Sequence, residues 1–127
     1  MTIVKELAAL RAGYPGCLAI VFADLTTSMV LASNTAEKTT QEKLDALCEA
    51  AQECLLGAEA AGLSGLLEDA GAATPTMVWR AVPDGMRCYL KLPAPAGEAL
   101  CIALRHDVPI DRLSADAAAL LSRIAGD

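Results

Sequence analysis

Cys101, His106 and Asp107 supply, within a few residues, the side-chain types of a nucleophile, a base and an orienting acid. Such a set could carry thiol-based acyl transfer if it converged in space. Spacing along the chain says little about convergence, and a lone motif match carries a high false-positive risk. His106 is the only histidine and stands between Arg105 and Asp107 at a predicted strand end, where a solvated loop histidine is the simpler reading. Glu98 and Asp107 could be imagined as an acid/base pair. An extended segment separates them by roughly 30 Å at ~3.3 Å per residue, too far to act on one glycosidic bond. Neither G-x-x-x-x-G-K-[ST] nor G-x-G-x-x-G occurs, so no phosphate loop is present. The five cysteines, Cys17, Cys48, Cys54, Cys88 and Cys101, form no CxxC and lack the paired short spacing of zinc sites. Four lie inside apolar patterns and read as small buried hydrophobes in a reducing compartment. No catalytic residue, metal ligand or cofactor is expected.

Composition narrows the classes further. A chain of 127 residues with 54% hydrophobic residues reads as one globular domain spanning 1–127. No apolar run approaches the ~20 residues that cross a bilayer, and "MTIVKELAALRAGYPG" lacks the form of a signal peptide. A cytoplasmic location is expected. The net charge of −6 argues against nucleic acid and against an anionic membrane surface as partner, since no basic patch is visible.

The elements that would position any site follow from hydrophobic periodicity. Ile3, Val4, Leu7 and Leu10 have helical spacing, and "GYPG" ends that helix. Cys17–Ala23 is a continuous apolar run suited to a strand buried on both faces. "DLTTS" turns the chain into a partner strand, Met29–Ser33, giving an antiparallel hairpin. A polar stretch leads to a helix from about Thr40 to Ala60, with Thr39 and Glu42 at capping-box spacing. Leu44, Leu47, Cys48, Ala51, Leu55 and Ala58 form its sheet-facing stripe. Strands at Thr76–Val82 and Met86–Leu92 flank "PDG", a strong turn signal. The second alternates, with Met86, Cys88, Leu90 and Leu92 covered and Arg87, Tyr89 and Lys91 on a wetter face. Ala99–Leu104 is another central strand, and Leu113, Ala117, Leu120, Leu121 and Ile124 trace a closing helix that begins between Asp111 and Ser114. The order is α-β-β-α-β-β-β-α. The two fully apolar strands belong at the centre, so the five strands should run 2-1-5-4-3 in one antiparallel sheet with helices on both faces, an α+β fold.

The long helix carries a second stripe, Ala46, Ala50, Cys54, Gly57 and Ala61, all small and recurring every three or four residues. Small residues at that spacing let helices approach closely. Alanine also serves simple helix propensity, but Gly57 costs ~1 kcal/mol against that explanation. The stripe reads as a contact face for a second copy.

This order resembles the roadblock/LC7 family of small profilin-like domains. The resemblance is carried by "PGCLAIVFAD" and "MVLAS", the long helix after a polar loop, "VPDGMRCYLKL" and "EALCIALR" with its closing helix. One departure is the first hairpin turn, Asp24-Leu-Thr-Thr-Ser28, where members commonly have a glycine. The resemblance implies a non-enzymatic homodimeric scaffold or regulator, with small Ras-like GTPases among the partners of the family. It also implies a dimer joined through the long helix and the strand after it, which adds Met77 and Trp79 to the expected interface. Two other classes stand beside this one. A ligand-sensing domain of profilin or PAS-like shape would need a pocket with convergent polar groups. A cysteine-dependent enzyme would need the set around Cys101 to converge.

Overall fold

A computed structural model describes residues 3–60, 76–91 and 97–126. The chain runs α1 (Ile3–Ala12), β1 (Cys17–Asp24), β2 (Met29–Thr35), α2 (Gln41–Ala60), β3 (Thr76–Val82), β4 (Gly85–Lys91), β5 (Glu98–Leu104) and α3 (Ile110–Gly126). The five strands form one sheet in the order β2-β1-β5-β4-β3, antiparallel at every pairing. The expected α+β architecture and strand order are both present. β1 and β5 lie at the centre because their side chains are apolar on both faces, and helices must then cover both.

Each face has its own core. On one, Leu7 of α1 and Leu113, Leu120 and Leu121 of α3 pack on Ile20, Leu90 and Ile102. On the other, Leu44, Cys48, Ala51 and Leu55 of α2 pack on Val21, Tyr89 and Cys101. A large apolar side chain moved fully from water is worth about 1.5–3 kcal/mol, so the sheet is clamped from both sides. Leu44, Cys48, Ala51 and Leu55 of the expected stripe thus face the sheet, with Leu47 partly buried beside them, and the side chain of Ala58 lies outside the described residues. Ile3 and Val4, by contrast, remain exposed at the start of α1.

Three local features depart from expectation. The α2 cap is Thr40, whose hydroxyl oxygen accepts from the Lys43 N–H at 3.3 Å, while the Thr39 hydroxyl donates to the Glu37 carbonyl. The helix starts one residue later than a Thr39 cap would set it, so the capping box with Glu42 does not form. In β4, Tyr89 and Lys91 are buried, not wet, and Tyr89 packs in the core beneath α2. In the first hairpin, Ser28 holds φ 56°, the left-handed conformation that glycine adopts without strain. The Asp24 carboxylate stabilises this turn by accepting from the Thr26 N–H at 2.9 Å and the Thr26 hydroxyl at 2.6 Å. Those bonds hold its pKa below the usual value.

The buried thiols make an alkaline prediction. Desolvation pushes Cys17 up to about 11 and Cys88 up to about 12, from an ordinary value near 9.0. The unfolded chain would start releasing these protons near pH 9, whereas the folded chain keeps them. The stabilisation is complete below pH 9 and is lost as pH rises through 11 and 12. Denaturant midpoints should fall over this window, each thiol contributing up to about 1.4 kcal/mol per pH unit. Cys88→Ala should flatten the slope; an unchanged slope would contradict the assignment.

Candidate interaction surface

Cys101, His106 and Asp107 do not converge. Cys101 sits in mid-sheet with no exposure, paired across to Val21 and Tyr89, and burial raises its thiol pKa far out of a nucleophile's range. His106 is exposed beyond β5, its Nε2 3.5 Å from the Pro83 carbonyl oxygen. Glu98 lies at the other end of β5, where its carboxylate accepts from the Gly97 N–H at 3.0 Å. Among the described residues no group of His, Cys, Asp and Glu could hold a metal ion, and no helix is long and apolar enough to cross a membrane. Cys101 is a packing residue. Cys101→Ser should therefore lower stability by about 1–3 kcal/mol, by placing a hydroxyl among apolar neighbours. Urea unfolding tests this, and an unchanged or raised midpoint would count against it.

The residues expected at a contact face are distributed as follows. On α2, Ala46 is exposed, and Ala50 and Cys54 are half-buried at the margin of the core. Gly57 lies in the same helix, and Ala61 falls outside the described residues. Among the described residues β3 is an edge strand, paired with β4 alone. Its alternation divides it between the two faces. Val78 packs with the α2-side core, whereas Met77 and Trp79 pack with the α1/α3-side core, opposite Leu90 and Cys88. The fold thus brings the small residues of α2 beside Val78 and Arg80, and sets the side chains of Met77 and Trp79 on the reverse side of the same edge.

Between α2 and the ends of β3, β4 and β5 runs an open groove of about 1010 Å³. Leu44, Leu47 and Ala50 of α2 line one wall. Arg80, Arg87 and Arg105 line the sheet side, and Lys43 joins them from α2. Arg80 and Arg87 are direct cross-strand partners.

A roadblock/LC7 domain from Streptomyces avermitilis superposes with a TM-score of 0.73 at 14% identity, covering 97% of this chain and 94% of that one. This is the roadblock/LC7 fold. The gliding protein MglB from Thermus thermophilus matches with a TM-score of 0.69 at 19% identity, over 98% of this chain and 88% of its own. MglC from Myxococcus xanthus matches at 0.56 and 15%, over 98% and 97%. No protein-family model and no curated protein matches the sequence.

Within the roadblock/LC7 fold, the groove is the feature that sequence reasoning missed. Its cations lie at positions 43, 80, 87 and 105, on four different segments, so no run of charge announces them. One signal was available. The turn at Pro83–Asp84 places Arg80 opposite Arg87, and strand alternation then sends both to the face shared with Tyr89.

Proposed function

We propose that this chain is a non-catalytic, cytoplasmic homodimeric scaffold or regulator that holds a protein partner, a small Ras-like GTPase. The observation that carries the reading is the small flank of α2, Ala46, Ala50 and Cys54, standing beside β3, whose outer edge is unpaired among the described residues. A helix flank without bulky side chains and an adjacent strand edge form a self-complementary patch, which a two-fold axis closes. The fold likeness supports it, since its neighbours include MglB, seen in one structure in a tetrameric arrangement. In sequence Gly57 and Ala61 continue the small flank, and Met77 and Trp79 belong to the proposed interface through the β3 edge, their side chains lying on its reverse face. The burial of Cys101 away from His106 supports a non-catalytic role. The alternative, a ligand-sensing domain, calls for an enclosed pocket, and the groove beside α2 is open.

Partner choice is tested by co-purification from the native host with mass spectrometry, followed by binding of the recovered GTPase in its two nucleotide states. A GTPase retained in one state supports the reading. Recovery of no GTPase, or a GTPase that does not rebind the purified chain, removes that part of it.

A further inference from the structure

We propose that the groove of each protomer is occupied by α2 of a second copy of this chain, whose carboxylates neutralise the groove's cations. This rests on the homodimer reading and specifies what selects the second copy: reciprocal charge pairing, with the small flank of α2 supplying close contact.

The chain carries −6 overall, yet Lys43, Arg80, Arg87 and Arg105 converge on one groove, against the two carboxylates of Glu37 and Asp84. The side chains of Lys43, Arg80 and Arg105 make no ion pair or hydrogen bond among the described residues, and the Arg87 guanidinium donates only to the neighbouring Met86 carbonyl at 3.2 Å. Glu37 and Asp84 form no ion pair with these cations. Arg80 and Arg87 stand directly opposite each other in the β3–β4 ladder. Like charges so placed are destabilising. A carboxylate brought between them would remove that repulsion and gain charge-assisted hydrogen bonds.

The matching anions stand on the same helix. Glu42 and Glu53 are exposed, and neither side chain has an ion pair or hydrogen bond among the described residues. Both lie about 180–200° round α2 from the sheet-facing Ala51, so they point away from their own sheet. Both also border the small flank, since Glu42 precedes Ala46 by four positions and Glu53 follows Ala50 by three. A second copy seated on that flank carries its two glutamates to the rim of the first copy's groove. A two-fold axis repeats the contact in the other direction, so each pairing forms twice. Two chains of −6 repel at a distance. Their contact needs a surface of the opposite sign, and this groove provides one.

Charge exchange tests the pairing. The dissociation constant of the wild-type dimer, from sedimentation velocity, should rise about tenfold or more between about 50 and 500 mM salt. R80E/R87E alone and E42R/E53R alone should each be monomeric by light scattering at a concentration where wild type is dimeric, with circular dichroism confirming that both are folded. An equal mixture of the two variants should be dimeric. There the reversed groove of one meets the reversed helix of the other, and the two unchanged surfaces meet as in wild type. A wild-type dimer whose dissociation constant does not change with salt overturns the proposal, and this measurement needs no variant to fold. So do variants that each dimerise alone, or a mixture of folded variants that stays monomeric. Those results, with a dimeric wild type, remove only the charge pairing. A monomeric wild type removes the homodimer as well, and leaves the groove to some other anion.

Discussion

Ala50→Glu is expected to convert the proposed dimer into a folded monomer. Ala50 lies on the flank of α2 that lines the groove, half-buried at the core margin, while Ala51 beside it is fully buried against the sheet. Adjacent helix positions differ by about 100°, so a side chain at 50 need not enter the monomer core. In the monomer a new carboxylate would stand among the groove's cations and remain solvated. In the proposed dimer it would meet its symmetry mate in a desolvated contact and hold the helices apart, at a cost of several kcal/mol. Trp79, the only tryptophan, lies on the same edge strand and reports the loss. Its fluorescence should shift on dissociation while far-UV circular dichroism stays nearly constant. A variant that stays dimeric would show that the small flank is not the interface. One that unfolds would show that Ala50 belongs to the core.

Gly85→Ala should produce the largest loss of stability of any single methyl addition at the β3–β4 turn. Gly85 has φ 155°, and a Cβ there would lie 1.9 Å from the Leu104 carbonyl oxygen and 3.0 Å from the Arg105 Cα. Both obstacles are backbone, so no rotamer change relieves them. The strand must shift or the turn must reform, and either would move Arg87 and Arg105, the cationic wall of the groove. A loss of about 3–5 kcal/mol is expected, with Tm falling by roughly 10 °C or more. Asp84→Ala, one residue earlier at an exposed turn position, should stay within about 0.5 kcal/mol of wild type. Equal melting temperatures for Gly85→Ala and wild type would show that the turn does not need its glycine.

The fold was legible because its signals are local or nearly so. Cys17–Ala23 and Ala99–Leu104 are apolar at every position and therefore central, and "PDG" fixes a hairpin whose register then follows. Even the hairpin turn without glycine is intelligible once Ser28 is seen in the left-handed region, held by the bonds of Asp24. The sheet-facing stripe of α2 was legible for the same reason. What could not be read is what depends on tertiary placement. Tyr89 and Lys91 alternate like a wet face, yet both are buried, Tyr89 in the core beneath α2. The resemblance joins Met77 and Trp79 to α2 in one interface, although parity with Cys88 and Leu90 puts their side chains on the opposite face. The four groove cations are separated by as many as 62 positions and meet only because four segments end at one corner of the sheet. Composition points the other way, since a net charge of −6 conceals a local surplus of the opposite sign.

Self-association across α2 and β3 can be measured by multi-angle light scattering of the purified chain at high micromolar concentration. A homodimer scatters with twice the 13.1 kDa mass of the chain, and the Ala50→Glu variant should fall to the single-chain value. A wild-type protein that scatters as a 13.1 kDa monomer at that concentration would contradict self-association.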